Sequence, residues 1–340
     1  MKVLFIGGTG TISMAITRLL AQRGDELYLL NRGNRNQTLP ENVRLITADI
    51  NDEAEVHSRL EEMSFDCVGE FIGFVPQQLE RDYRLFSGRT KQFIYISSAS
   101  AYQKPPSSYV ITEQTPLENP YWEYSRNKKA CEEYLMQRYL HDGFPVTIVR
   151  PSHTYDERSV PLGVHGKNGS WQVVKRIMQG KRVLIHGDGT SLWTITHNSD
   201  FAKAYAGLVG NPKAIGQAFH ITSDESVSWN TIYQAIADAL GVELKPYYVS
   251  SQMLAELGRD YDFTGSLIGD KANSVVFDNT KVKSLVPDFK AEISAAEGIK
   301  MTVKNILAHP ELQNDDPEFD SWCDRVIAIC EKAKEDFYHE

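Results

Sequence analysis

Lys2-Val3-Leu4-Phe5-Ile6-Gly7-Gly8-Thr9-Gly10-Thr11-Ile12-Ser13 is the stretch on which the fold turns. Val3 to Ile6 form an apolar run of the length of a buried β-strand, and glycines follow at once. Ile12, Ala15, Ile16, Leu19 and Leu20 then recur at the spacing of one helical face. A strand, a glycine-rich turn and a helix in that order aim backbone N–H groups and the positive end of a helix dipole at a phosphate. The spacing is Gly7-x-x-Gly10-x-x-Ser13 rather than Gly-x-Gly-x-x-Gly, so Ser13 stands where a third glycine would let helix and sheet approach. Serine is small enough to keep that packing. Alone, the glycines also suit a plain strand-to-helix connection.

Further short apolar or β-branched runs lie at 26–30, 43–47, 67–72, 92–97 and 145–150, with helical stretches at 53–62, 77–86 and 121–141 between them. Strands alternating with helices indicate a parallel sheet covered on both faces. The expected fold is therefore α/β: a doubly wound parallel Rossmann sheet with a smaller mixed α/β C-terminal substrate lobe. Past Arg150 the rhythm loosens. Residues 151–170 are rich in Gly, Pro, Ser and His, 187–190 form a turn cluster, and 218–222 read as one more buried strand. The expected division is 1–164 plus about 195–225 for the nucleotide-binding domain, and about 165–194 plus 226–340 for the substrate lobe. The charged tail, 313–340, is expected to be helical and packed down by its aromatic residues.

The 340 residues, 41% hydrophobic and 24% charged, suit a globular protein with a large core, and no apolar run approaches the ~20 residues of a membrane span. The first strand begins at Lys2, so a cleavable leader is not expected. Cys67, Cys131, Cys323 and Cys330 contain no Cys-x-x-Cys pair, which suggests neither a metal site nor a disulfide framework and points to a reducing cytoplasm. The net charge of -9 argues against a nucleic-acid partner. Lys167, Lys175, Arg176 and Lys181 form one basic patch, whose plainer reading is a solvated helix face.

Ligands of open α/β sheets bind beyond the carboxyl ends of the strands. The strand at 92–96 ends in Ser97-Ser98-Ala99-Ser100-Ala101-Tyr102, and the next helix carries Tyr124 and Lys128, four apart and on one face. A tyrosine, a lysine and a serine suit carbonyl and alcohol redox chemistry. The Lys128 ammonium would lower the pKa of Tyr124, the phenolate would take a hydroxyl proton as hydride leaves the same carbon, and Ser98 would hold the oxygen. Among sixteen tyrosines about one such pair arises by chance. The position of Tyr124, downstream of a serine-rich strand end and a dinucleotide loop, separates it from chance.

With Asp49-Ile50, Arg150-Pro151-Ser152, Gly187-Asp188-Gly189-Thr190, 196–200 and 218–222 added, the chain resembles an extended short-chain dehydrogenase/reductase of the NAD-dependent epimerase/dehydratase family, across nearly its whole length. The resemblance implies that Gly7, Thr9, Gly10, Thr11 and Ile12 meet a pyrophosphate, Asp49 and Ile50 the adenine, and Ile72 and Gly73 the ribose on the nicotinamide side. It implies a catalytic trio of Ser98, Tyr124 and Lys128, with Lys128 also on the nicotinamide ribose. Ser97, Pro151, Ser152 and His153 belong to the nicotinamide end, where His153 suits a packed loop residue as well as a substrate contact. The implied reaction is epimerisation or oxidoreduction at a hydroxyl or keto carbon of a nucleotide sugar. The implied assembly is a homodimer paired through 77–86 and the Tyr124 helix.

At the end of the second strand, where a carboxylate would bind the ribose hydroxyls of NAD, stand Asn31 and Arg32. Arg32 could meet a 2′-phosphate, so the expected cofactor is NADP ahead of NAD. Trp193 lies where nucleotide-sugar enzymes commonly carry a phosphate-binding arginine, and its plainer reading is core. Ala99 and Ser100 replace the acidic residues of dehydratases, which disfavours dehydration. Two alternatives stay open: an NADP-dependent reductase of a non-nucleotide carbonyl compound, and an RNA-binding relative. The Gly-Gly-Thr loop with Asn31-Arg32-Gly33 also resembles chloroplast stem-loop RNA-binding proteins of this fold.

Overall fold

The computed structural model describes residues 1–34 and 39–339. Seven strands, numbered along the chain, form its central sheet: β1 (Lys2–Ile6), β2 (Glu26–Asn31), β3 (Arg44–Thr47), β4 (Cys67–Glu70), β5 (Phe93–Ile96), β6 (Val146–Pro151) and β7 (Gln217–Ile221). They run in the order β7-β6-β5-β4-β1-β2-β3, all parallel. Helices cover both faces, so β4, β5 and β6 are buried at every residue rather than at alternate ones. The order reverses beside β1, which opens a crevice at the carboxyl ends. This is the doubly wound sheet expected.

Gly7 and Gly8 take positive φ values of 101° and 84°, and a Cβ on Gly8 would come within 2.5 Å of a Leu29 methyl. The helix Thr11–Arg23 follows. Ser13, in place of the third glycine, is buried and turns its Oγ back to accept from the Gly10 N–H at 2.9 Å. The Thr17 hydroxyl donates to the Gly8 carbonyl at 2.9 Å. The irregular residue thus ties the turn to the helix instead of loosening it.

One face of the sheet packs Val3, Phe5, Ile16, Leu20, Phe201 and Tyr205; the other packs Leu4, Ile6, Leu79, Phe86, Cys131 and Leu135. A third core, around Trp229, Ile236, Ile299, Val303, Phe319 and Trp322, joins the helices Trp171–Met178, Trp229–Leu240, Ala295–Ala308 and Pro317–His339. Beside it Val183–His186 pairs with Pro246–Val249. Among the described residues no helix is long and apolar enough to cross a membrane.

Three differences from the sequence reading have clear causes. The helix begun at Glu53 ends at Arg59, and Glu62 takes a left-handed φ of 62°. The helix of Tyr124 runs Glu123–Asp142, leaving Tyr121 and Trp122 ahead of it. The basic patch is not a solvated face. Arg176 is buried and bonds Asp320 at 2.6 Å and Asp324 at 2.7 Å, Lys181 bonds Asp320 at 2.7 Å, and Lys175 bonds Asp315 at 2.7 Å. Three of these cations staple the C-terminal region to the lobe.

Candidate functional site

Two concavities lie along the carboxyl ends of the strands. The first, about 460 Å³, spans the ends of β1 to β4 and is lined by Gly7, Thr9, Asn31, Arg32, Asp49, Ile50 and Ile72, together with Asn51, Gln78 and Arg81. Asp49 is held facing this groove by accepting from both the backbone and side-chain N–H of Asn51, at 2.9 and 3.0 Å. Gly10, Thr11 and Ile12, the N-cap and first residues of the helix that follows, are not among the residues that line it. The Thr11 carbonyl accepts from Asn198 at 2.9 Å and its hydroxyl from Arg158 at 3.0 Å.

Sequence reasoning missed Arg158, Arg81 and Glu70. Arg158 reaches Thr11 from 147 residues away, so no local pattern could reveal it. Arg81 bonds Asp82 at 2.9 Å and Asn51 at 2.8 Å, fixing the groove wall. Glu70, buried at the end of β4, accepts from the Ile72 N–H. Burial, then the nearby Asp82 charge, push its carboxyl well above the usual range, while burial brings Asp82 to about 6.

The second concavity, about 290 Å³, sits beyond β5 and β6 and is lined by Ser98, Tyr124, Pro151, Ser152 and His153 with Ser100, Tyr102, Lys104, Trp122, Trp193, Asp270, Lys271 and Phe277. The fold brings Ser98 and Tyr124 together from a strand end and a helix 26 residues apart. Ser98 Oγ is 2.9 Å from Ser100 Oγ, which accepts from the Ser125 hydroxyl at 2.8 Å. Burial raises the Tyr124 pKa, and its hydrogen bond with Ser98 works in the opposite direction.

Lys128 departs from expectation. Its ammonium donates to the carbonyls of Gly73 and Ile96, each at 2.8 Å, and stands 5.8 Å from the Tyr124 ring centroid. Burial pushes its pKa down to about 8. The lysine therefore anchors the loop at Gly73, and the phenol that the sequence reading expected it to pull down is raised on balance by burial. Gly73 holds this carbonyl in place, accepting from the Tyr95 hydroxyl as well, at 3.2 Å.

The surroundings of the trio are rigid. Arg150 at the end of β6 bonds both oxygens of Glu132, at 2.9 and 2.6 Å, locking the Tyr124 helix to the sheet; both side chains are buried. Ser152 donates to the Thr194 carbonyl at 3.3 Å, and burial lowers His153 to about 3, so it faces the cavity as a neutral ring. Trp193 is 3% exposed and stacks on Trp229 at 5.8 Å, which agrees with its core reading, yet its edge also walls the cavity.

The groove fits a dinucleotide. Its glycine turn keeps side chains off the backbone N–H groups, and the buried Ser97 hydroxyl, just past the end of β5, has no hydrogen-bond partner among the described residues. Such an orphaned donor invites a ligand atom.

Three relatives frame this geometry. The chain is 25% identical over 291 residues to 2'-dehydrokanamycin reductase of Streptomyces kanamyceticus, covering 85% of this chain and 80% of that protein. It is 26% identical over 254 residues to chloroplast stem-loop binding protein of 41 kDa b of Arabidopsis thaliana, covering 71% and 63%. It is 23% identical over 346 residues to UDP-N-acetyl-alpha-D-glucosaminuronate decarboxylase of Bacillus cytotoxicus, covering 92% and 99%. The family model of NAD dependent epimerases and dehydratases matches residues 3–222, through every strand of the central sheet. The chain is an enzyme and belongs to the NAD dependent epimerase/dehydratase family.

Proposed function

We propose that this enzyme oxidises a hydroxyl or reduces a keto carbon of a sugar in the second cavity, as an epimerase or an oxidoreductase, with NAD(P) in the first groove. The observation that carries the reading is the Ser98–Tyr124 pair lining a walled cavity next to the Lys128-anchored loop. When bound, the nicotinamide supplies or accepts hydride. Tyr124 moves the matching proton at the substrate oxygen, and Ser98 holds that oxygen. Burial, which raises the Tyr124 pKa, favours the phenol form that donates a proton in carbonyl reduction. Ser100 and Ser125 orient the Ser98 hydroxyl from behind.

A nucleotide sugar is the proposed substrate, supported by the printed name of the Bacillus cytotoxicus relative. The second reading is reduction of a non-nucleotide carbonyl compound. It is favoured by the cavity, which at about 290 Å³ lies at the lower end of the ~300–1,000 Å³ of ligand pockets, and by the Streptomyces relative. Arg32 in the groove lining supports NADP ahead of NAD. The RNA-binding reading, carried by the Arabidopsis relative, is weakened by the net charge of -9 and by the paired basic patch.

The proposed domains remain 1–164 plus about 195–225, and about 165–194 plus 226–340. The proposed homodimer pairs the helices Pro76–Phe86 and Glu123–Asp142 of two cytoplasmic copies; a monomer mass in light scattering would remove it. The function is tested by incubating the protein with NADP or NAD and a panel of UDP-sugars and keto sugars. Turnover in the wild type that vanishes in Tyr124→Phe, at unchanged cofactor affinity, is the expected result. Equal turnover in the variant would refute the role of Tyr124.

A further inference from the structure

Part of the wall of the second cavity is built by a segment that packs against Tyr121 and Trp122 and lacks any counterpart in the sequence reading. Residues Thr264–Lys271 form a π-helix, a rare conformation that concentrates at functional sites. Its last two residues, Asp270 and Lys271, face the cavity with Lys104. The Lys271 backbone is fixed from three sides: its carbonyl accepts from Trp229 Nε1 at 3.1 Å and the Ser191 hydroxyl at 3.5 Å, and lies 3.2 Å from His186 Nε2. The side chain is thereby presented by a rigid frame.

The charges lining the cavity do not balance. The lining holds two lysines, Lys104 and Lys271, against one carboxylate, Asp270. Asp270 pairs with Lys104, 3.4 Å away, and its charge also acts on Lys271; the Lys104 ammonium lies 5.6 Å from the Trp193 ring centroid. His153 is neutral and cannot compensate. Asp262, which acts on Lys271 from farther off, is exposed and accepts from Trp122 Nε1 at 2.8 Å. Among the described residues the Lys271 ammonium has no hydrogen bond or ion pair, and burial pushes its pKa below the ordinary lysine range. Lys271 is half-buried, lines the cavity and has no direct partner among the described residues, so an anion bound there would supply one.

We propose that Lys271 docks an anionic group of the substrate, a carboxylate or a phosphate, and so selects acidic over neutral and aminated sugars. This rests on the redox reading of the cavity and names its substrate class. The aromatic walls Trp122, Trp193 and Phe277 suit the apolar face of a sugar ring, with the acid at one end and the reacting carbon at Ser98 and Tyr124. The surplus positive charge repels an ammonium group.

The test is calorimetric titration of the full chain, with and without NADP, using glucuronate, glucose 6-phosphate, UDP, glucose and glucosamine. Glucuronate, glucose 6-phosphate or UDP is expected to bind on the order of tenfold tighter than glucose, the scale of one charge-assisted hydrogen bond, and glucosamine no tighter than glucose. Lys271→Met should erase that margin and Lys271→Arg keep it, both at unchanged NADP affinity. A margin confined to UDP assigns the anion to a nucleotide diphosphate; one for the sugar acids assigns it to a small acidic sugar. Anions binding no tighter than glucose, no binding by any anion, or an undiminished margin in Lys271→Met would overturn the proposal. Failure of the wild type to bind NADP or NAD would instead strike the redox reading, and the titrations without cofactor keep the two outcomes apart.

Discussion

The two concavities are built from different kinds of sequence. The groove over β1 to β4 comes from short loops that each follow their own strand, and of the residues expected there Gly7, Thr9, Asn31, Arg32, Asp49, Ile50 and Ile72 line it. The cavity beyond β5 and β6 joins strand-end residues to a wall from far along the chain that includes Trp193, Asp270 and Lys271. The contrast teaches that the geometry of the proposed cofactor groove is local, whereas that of the proposed substrate cavity is assembled by long-range packing.

Substitutions on either side should separate the two regions. Tyr124→Phe is expected to have the largest effect, a loss of roughly 10²–10⁴-fold in turnover with cofactor affinity unchanged, because it removes only the transferable proton. Steady-state rates alongside NADP titration check it. A parallel loss of cofactor binding would merge the two regions into one.

Arg150→Met comes next, since it leaves Glu132 buried and unpaired on the Tyr124 helix. Losing one partner of a buried pair destabilises by about 3–5 kcal/mol, and denaturant unfolding should show it. A shift within error would mean that Glu132 finds another partner. Gly8→Ala should act on the groove alone: a positive φ and the Leu29 contact make it cost about 1–3 kcal/mol and weaken NADP, with sugar binding to the cavity intact.

The smallest effect is in pH dependence. Burial brings Lys128 down to about 8 in the folded chain, below the ordinary lysine value of 10.5. Between those values the unfolded chain binds the proton and the folded chain does not, so the contribution of this group to stability rises as pH rises from 8 towards 10.5. Unfolding midpoints of the wild type relative to Lys128→Met should increase over that interval. A flat difference would show that the two carbonyl bonds keep the ammonium charged.

Much of this was legible from the chain. Buried parallel strands are short apolar runs, a glycine turn with positive φ leaves a fixed spacing, and Tyr124 with Lys128 shares a helix face. What stayed hidden depends on partners far along the chain. Lys128 was read as acting on Tyr124, but the backbone carbonyls of Gly73 and Ile96 claim it. Arg176 read as part of a basic patch because Asp320 and Asp324 lie some 144 residues away or more. Ser13 looked like a flaw in the glycine pattern, although its hydroxyl supplies the bond to Gly10. The π-helix that presents Lys271 has no period that a search for 3.6-residue or two-residue repeats would detect.

The central claim is that Tyr124 and Ser98 serve hydride transfer between a dinucleotide in the groove and a carbon in the cavity. Its most direct test is single-turnover transfer of deuterium from 4-deuterated NADPH or NADH to the keto form of whatever sugar copurifies with the protein, followed by mass spectrometry. The account predicts label on the product carbon in the wild type, appearing at least ~10²-fold faster than in Tyr124→Phe. Product without label, or equal rates in the two proteins, would contradict it.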